Sequence, residues 1–220
     1  MTGSGAAVTS GVVLHARPLR ETSRVLELLT AEAGRVSTVV RGRAGSVRPF
    51  VLLDLAWRGR GDLPTLTVAE ERRVYPLTSR ALVCGLYLNE LVLRLYPRDA
   101  PVPEALPALL AGYAGLAAGE RADGVLRAAE WALLAPVDSG LEHVAAEDVA
   151  PDQWYRYDPA SGLEGAPPGS AGAISGAALQ ALVAGEDVPE AQARACRDFM
   201  RALIDRHLEG RTLRTRDLLQ

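Results

Sequence analysis

The chain has 220 residues, of which 23% are charged and 48% hydrophobic, and its formal net charge is −3. This composition excludes disorder of the whole chain, because enough apolar surface is present to offset chain entropy. No run of about 18 apolar residues occurs and residues 1–10 lack a basic segment, so we expect a cytosolic protein without a membrane span or secretory signal. Two cysteines are too few for a disulfide framework or, alone, for a four-ligand zinc site.

The first 75 residues have the pattern of short β-strands separated by glycine-rich turns. Apolar and β-branched runs favour strands, and glycine or proline closes each of them. Five strands at this spacing predict a small closed barrel or a sandwich. The second run also fits one or two helical turns, because its apolar residues are nearly continuous. The five runs cover residues 12–17, 24–30, 35–41, 50–58 and 65–69, with Val74 as the furthest end of the last one.

The pattern becomes helical after Pro76. Residues 138–174 are rich in proline and glycine, so we expect an irregular excursion there, with a small hairpin. The predicted fold class is α+β, with a five-stranded barrel over residues 1–76 and an all-helical domain over residues 77–220. The predicted helices cover residues 79–96, 104–118, 123–135, 175–184 and 189–208.

Charge is distributed unevenly along the chain. All 24 cationic side chains are arginines. Residues 1–80 carry 12 arginines and 7 acidic residues, whereas residues 81–193 carry 5 arginines and 16 acidic residues. Residues 194–220 are again basic, with 7 arginines and 4 acidic residues. A basic head on an acidic body indicates that the head contacts a polyanion.

Strand alternation predicts a basic surface on the barrel. Arg35 and Arg41 share one face of the third strand, and Arg58 and Arg60 share one face of the fourth, opposite its apolar residues. A five-stranded barrel with an arginine-rimmed groove resembles an oligonucleotide-binding (OB) fold, so we predict phosphate contacts here. A generic solvated surface is the alternative. The predicted DNA-binding arginines are Arg35, Arg41, Arg43, Arg48, Arg58 and Arg60.

Two weaker predictions accompany this surface. Phe50 is a candidate for stacking on a base, whereas Trp57 has the parity of a core residue. A basic segment follows the last helix, and its Arg211, Arg214 and Arg216 are candidates for a second DNA contact.

No catalytic signature is present. The sequence contains no nucleophile elbow, Walker loop or zinc-protease motif, so we do not expect an enzyme. His143 lies near acidic residues that could in principle hold a metal, but a solvated acidic loop is the simpler interpretation. A hydrolase that uses the acids of residues 138–165 is kept only as an alternative for metal analysis to test.

Three segments resemble the RecO family of bacterial DNA repair and recombination mediators. The first is VLHARPLRETSRVLELLTAEAGRVSTVVRG at residues 13–42, with its Arg-Pro, Glu-Thr-Ser and Gly-Arg-Val in order. The others are GLYLNELVLRL at residues 85–95, like the family's first long helix, and LRTRDLL at residues 213–219. The resemblance covers nearly the whole chain.

The resemblance implies an amino-terminal OB-fold barrel, a helical carboxyl-terminal domain and a non-enzymatic role. Members of the family bind single- and double-stranded DNA and anneal complementary strands, including strands coated with single-strand-binding protein. They act with RecR, and in many bacteria with RecF, to help load RecA. The helix at residues 125–134 resembles the one that receives the acidic, Phe-ending tail of single-strand-binding protein, and Arg127 matches its basic contact.

The sequence departs from the family pattern in two places. The basic segment from Arg43 to Phe50 is short. Residues 138–165 contain no cysteine, where many relatives carry a four-cysteine zinc site, so we predict neither zinc nor another cofactor. The remaining alternative is an interaction adaptor, whose barrel binds partner proteins and touches DNA only incidentally.

Overall fold

The computed structural model describes residues 8–42, 47–59, 61 and 63–219. Its first part contains the strands β1 (Thr9–Arg20), β2 (Ser23–Thr30), β3 (Gly34–Arg41), β4 (Val51–Arg58) and β5 (Thr65–Val74). They close into a barrel in the order β1-β2-β3-β5-β4. The β3–β5 pair is parallel and the other pairs are antiparallel. The predicted five-stranded barrel of the OB type is confirmed.

Alternation along the strands builds the barrel core. Val36 and Val40 of β3 and Leu53 of β4 point inward and pack together. The second run is a strand and not a helix, because every residue of β2 pairs with β3. β5 reaches Val74, the furthest end that the sequence pattern allowed, whereas β1 is longer than predicted. β1 continues through Pro18, which pairs with Arg24 in the β1–β2 ladder.

The helical part contains α1 (Ser79–Leu95), α2 (Ala105–Ala118), α3 (Ala122–Leu134), α4 (Gly176–Ala184), α5 (Ala193–His207) and a final 3₁₀ helix (Arg214–Leu219). The predicted helices are present with nearly the predicted bounds. The last one begins later, because Glu190–Gln192 form a 3₁₀ turn. Ser175 caps α4, with its hydroxyl accepting from the Ala178 amide at 3.3 Å. Asp123 lies in the first turn of α3, where its negative charge compensates the helix dipole.

The excursion between α3 and α4 holds the predicted hairpin. Strands β6 (Trp154–Asp158) and β7 (Gly162–Gly165) pair in it, and β8 (Ile174–Ser175) adds to the other edge of β6. Asp138 attaches this segment to α5, since its carboxylate lies 3.1 Å from His207 Nε2 and accepts from the Tyr157 hydroxyl at 2.9 Å. Burial and the neighbouring Asp138 raise the pKa of Tyr157 to about 12.

The barrel packs on α1 and α2 through an aromatic contact. Phe50 meets Tyr113 edge-on, with ring centroids 5.2 Å apart, and both side chains are buried. Asn89 of α1 donates to the Leu14 carbonyl of β1 at 3.1 Å and accepts from the Tyr113 hydroxyl. Gly85 is required in α1, because a Cβ there would lie 2.7 Å from the Phe50 ring. One apolar cluster therefore continues from the barrel into the helices, beside the separate cluster that fills the barrel interior.

Among the described residues, no helix combines the length and the apolar character needed to cross a bilayer. The two cysteines, Cys84 and Cys196, are fully buried and unpaired.

The buried cysteines give a test of the helical core. Burial raises the pKa of Cys196 to about 12 and also raises the pKa of Cys84. Both thiols therefore stay protonated and inaccessible at pH 8, and a thiol-reactive disulfide reagent should label the native protein slowly and the urea-unfolded protein at once. Rapid labelling of two thiols in the native protein would contradict this packing.

Candidate nucleic-acid interface

The predicted arginine row on β3 exists but is divided between two environments. Arg35, Ser37, Val39 and Arg41 face away from the barrel core, as alternation predicts. Arg41 is exposed, whereas Ser37 is only 5% exposed because the chain that follows α1 covers this part of the strand. The two ends of the row therefore have different roles.

Arg35 contacts the end of α1 and not solvent. Its Nη1 donates to the carbonyls of Leu93 and Tyr96 at 2.5 and 2.7 Å, and its side chain is 15% exposed. These carbonyls end α1, where a cation also compensates the helix dipole. Arg35 was expected to bind phosphate, but its guanidinium is instead occupied by the carbonyls at the end of α1. Strand alternation does not reveal this contact, because its partners lie far away in the sequence.

A buried carboxylate completes this junction. Glu27 of β2 accepts from Ser37 Oγ at 2.8 Å and from Arg98 Nη2 at 2.6 Å, and its Oε2 lies 3.7 Å from Arg35 Nε. Burial lowers the pKa of Arg35, with Glu27 opposing and Arg98 adding to the shift. Glu27 joins three segments through charged contacts and stabilises the barrel against the helical part.

Arg41 and Arg58 lie at the seam where the barrel closes. Thr65, the first residue of β5, pairs with Arg58 on one side and with Val39 on the other. Arg41 follows Val39 by two residues and pairs with Ser23 beside the β1–β2 turn. We name Ser23, Arg41, Arg58 and Thr65 the seam surface. It lies between the β1–β2 turn and the β4–β5 connection, which are the two connections that bind oligonucleotides in OB folds.

The cations of the seam surface are available to an external anion. Arg41 and Arg58 are exposed, and neither forms an ion pair within the part of the chain that the structure describes. Arg17 of β1 is also exposed near the β1–β2 turn, and the sequence analysis missed it. Strand pairing could have indicated Arg17. Ser23 of β2 pairs with Arg41 of β3, which places the β1–β2 turn, and Arg17 close to it, beside the end of β3.

The β4–β5 face is electrostatically balanced. Arg48 Nη1 lies 2.8 Å from Glu71 Oε1, and Arg72 Nε lies 2.7 Å from Asp54 Oδ2. The predicted contact Arg48 is therefore already engaged by an acid. Arg43 and Arg60, the other two predicted contacts, lie outside the described residues.

Phe50 is not placed to stack on a base. Its side chain is 8% exposed and its ring packs against Tyr113 in the shared core. The expectation of an exposed stacking platform is therefore wrong. The sequence predicts only that Phe50 begins a strand, whereas its burial depends on Tyr113, which lies 63 residues later in the chain.

The carboxyl-terminal arginines divide in a similar way. Arg211 and Arg214 are exposed, and Arg211 Nε donates to the Leu208 carbonyl at 3.1 Å. Arg216 is 18% exposed and pairs with Asp205 of α5. A second DNA contact at this segment stays a prediction, with Arg211 and Arg214 as its accessible members.

Arg127 forms a buried ion pair at the bottom of a pocket. Its Nη2 lies 2.7 Å from Glu130 Oε1, which also accepts from the Tyr87 hydroxyl at 2.5 Å. Glu130 is only 1% exposed. Burial raises the pKa of Glu130, and the charge of Arg127 opposes that shift.

The pocket above this ion pair is strongly basic. It has a volume of about 360 Å³ and lies between α1, α3, α5 and the final 3₁₀ helix. Arginines outnumber the lining acids Asp123 and Glu130, and apolar side chains complete the wall. We name it the arginine pocket. Its cations are Arg80, Arg127, Arg197, Arg201 and Arg216, and its apolar lining includes Ala122, Leu126 and Leu219.

No metal-binding cluster of three or more His, Cys, Asp or Glu residues occurs within the described ranges. His143 is 88% exposed and lies beside Glu142, whereas His207 contacts Asp138.

Comparisons with known proteins cover the barrel and the helical part together. A family profile described as "Recombination protein O N terminal" matches residues 6–75. The chain is 39% identical over 230 residues to the DNA repair protein RecO of Halorhodospira halophila, covering 99% of this chain and 98% of that protein. It is 36% identical to the Pseudomonas paraeruginosa RecO, covering 97% and 94% of the two chains, and 37% identical to the Methylococcus capsulatus RecO, covering 94% and 90%.

The two ends of the β3 row give opposite mutational predictions. Arg35→Ala should lower the free energy of unfolding by about 1–3 kcal/mol, because it leaves the Leu93 and Tyr96 carbonyls without their donor and removes one of the two cations beside the buried Glu27. Arg41→Ala should change it by less than about 0.5 kcal/mol, since Arg41 is exposed. Urea denaturation followed by circular dichroism measures both. Equal stability of the two variants would contradict the assigned junction.

Proposed function

The chain belongs to the RecO family of DNA repair proteins, and we propose that it is a recombination mediator that binds single- and double-stranded DNA and anneals complementary strands. The observation that carries this proposal is the pair of exposed arginines on the seam surface, in the position by which OB folds bind oligonucleotides. The proposed role is non-enzymatic, and its place is the cytoplasm, at the nucleoid.

The seam surface binds through charge. Guanidinium groups form forked hydrogen bonds with phosphate oxygens, and Arg41 and Arg58 have no competing carboxylate among the described residues. An arginine surface also favours annealing, because it screens the repulsion between two anionic strands. Without Phe50 as a stacking residue, affinity depends mainly on the phosphates and falls as salt rises.

The arginine pocket is the proposed site for the acidic, Phe-ending tail of single-strand-binding protein. Such a peptide needs cations for its carboxylates and an apolar cavity for its last side chain, and the pocket offers both. Arg127, which the family resemblance singles out, supplies a cation at its base. Separate sites for DNA and for the tail suit a protein that anneals coated strands.

The remaining partners follow from the family alone. As a member, the chain would help RecR load RecA on DNA coated with single-strand-binding protein, with RecF involved in some bacteria. The rival function is an adaptor whose barrel binds proteins and touches DNA only incidentally.

The double variant Arg41→Ala/Arg58→Ala tests the seam surface. It should weaken binding of a fluorescent single-stranded oligonucleotide and lower the slope of log affinity against log salt by about 1.4, since each phosphate contact contributes about 0.7 on single strands. Anisotropy titrations at several salt concentrations measure both quantities. Strand annealing should slow in parallel.

A charge-matched control removes two arginines that already have acidic partners. Arg72 pairs with Asp54 at 2.7 Å, and Arg156 pairs with Glu164 at 2.6 Å on the β6–β7 hairpin. Arg72→Ala/Arg156→Ala should keep the wild-type salt slope. Equal slopes for the two double variants would count against the seam surface, and wild-type protein without DNA binding or annealing would favour the adaptor.

A further inference from the structure

Two large apolar side chains border the seam surface and are open to solvent. Leu19, near the end of β1, is 41% exposed, and Leu63, in the connection between β4 and β5, is 44% exposed. A single exposed leucine needs no explanation, because most protein surfaces carry some. Only six large hydrophobic side chains are exposed within the described ranges, however, and two of them lie on either side of the exposed Arg41. This coincidence of apolar and cationic side chains indicates a ligand that carries both kinds of surface.

A β-bulge exposes Leu19. Pro18 pairs with Arg24 in the β1–β2 ladder, and the next pair joins Arg20 to Ser23, so the ladder skips Leu19. An extra residue of this kind bends the strand and redirects a side chain, and bulges are frequent next to binding sites. The exposure of Leu19 is therefore built into the backbone of β1 at the edge of the seam surface.

Leu63 is held beside the other edge of the seam surface. The carbonyl of the next residue, Pro64, accepts from the Val39 amide of β3 at 2.8 Å. Thr65 then pairs with Val39 on one side and with Arg58 on the other. A residue that precedes proline is restricted to extended conformations, so the attachment of Pro64 also limits where Leu63 can lie.

The two leucines lie on opposite sides of the end of β3. β2 separates β1 from β3, whereas β5 is the direct neighbour of β3. Since neighbouring strands are about 4.8 Å apart, Leu19 and Leu63 are on the order of 10–15 Å from each other, with Arg41 between them. A strand of DNA whose phosphates contact Arg41 and Arg58 is thus within reach of both leucines.

We propose that Leu19 and Leu63 pack against the bases of a single strand whose phosphates are bound by Arg41 and Arg58, and that this contact makes the seam surface prefer single strands to duplexes. The inference rests on the proposed DNA binding at the seam surface and adds a requirement to it: the ligand must offer unstacked base faces as well as phosphates. In a duplex, these faces are covered by the neighbouring base pairs.

This contact suits annealing. Leucine is one of the apolar side chains that proteins insert between bases, and every base has a face that can receive it, so the contact does not depend on sequence. A side chain that packs on the face of a base leaves its pairing edge free. The strand would therefore be bound with its bases separated from one another and still able to pair.

The test uses the full chain and two fluorescein-labelled probes of equal length, an oligothymidylate and an oligomer of abasic nucleotides, which has the phosphates but no bases. In anisotropy titrations, wild-type protein should prefer the oligothymidylate. Leu19→Ala/Leu63→Ala should lower affinity for the oligothymidylate about tenfold, because apolar contact area is lost. It should keep the wild-type affinity for the abasic probe and the wild-type salt slope, since no phosphate contact changes.

A matched control removes two exposed leucines that lie in the helical part, Leu82 of α1 and Leu218 of the final 3₁₀ helix. Leu82→Ala/Leu218→Ala should leave the affinity for both probes unchanged. A duplex of the labelled oligothymidylate with oligoadenylate gives a second measurement. Its affinity should be nearly the same for wild-type protein and for Leu19→Ala/Leu63→Ala.

The outcomes separate this inference from the proposed DNA binding. Equal affinity of wild-type protein for the two single-stranded probes would overturn the role of the leucines, and so would an equal loss of both probes in Leu19→Ala/Leu63→Ala. Undiminished oligothymidylate affinity in that variant would also overturn it and would favour a partner protein as the ligand of these side chains. In each of these cases the phosphate contacts of the seam surface stand, whereas wild-type protein that binds neither probe would contradict the DNA-binding function itself.

Discussion

The packing of the barrel on α1 decides which of its surfaces can meet a ligand. The contacts that maintain it include the hydrogen bond from Asn89 of α1 to the Leu14 carbonyl. Beside α1, the edge-on pair of Phe50 and Tyr113 of α2 and the carboxylate of Glu27, held by Arg35 and Arg98, fix the barrel against the helical part. A buried carboxylate is tolerated only when its charge is compensated. Arg35 and Arg98 compensate the charge of Glu27 and are therefore not available to bind a ligand. The end of β3 that carries Arg41 and the end of β4 that carries Arg58 lie away from this contact and stay accessible.

An excess of arginine in the sequence therefore overstates the surface that can bind DNA. Arg35 compensates the charge of Glu27 and donates to the carbonyls at the end of α1. Arg48 and Arg72 form ion pairs with Glu71 and Asp54 on the β4–β5 face. The proposed interface is correspondingly small and electrostatic. It fits a protein that brings two strands together without reading their sequence, because phosphate contacts carry no base information.

Local patterns were sufficient to predict the barrel, the helices, the hairpin in the excursion and the alternation of Arg35 and Arg41. Each of these depends on residues that are close in sequence. The environments of Phe50 and Arg35 could not be predicted, because their partners, Tyr113 and the Leu93 carbonyl, lie about 60 residues further along the chain. The same holds for the arginine pocket, whose walls come from four separated elements.

Hydrogen exchange with mass spectrometry on the full chain, with and without an oligothymidylate, tests the separation of these surfaces most directly. Bound DNA should protect amides in peptides from residues 17–24 and 39–42 around the seam surface. It should leave peptides from α1 and from β6–β7 unchanged. Protection confined to the helical part, with none around Arg41, would contradict the account.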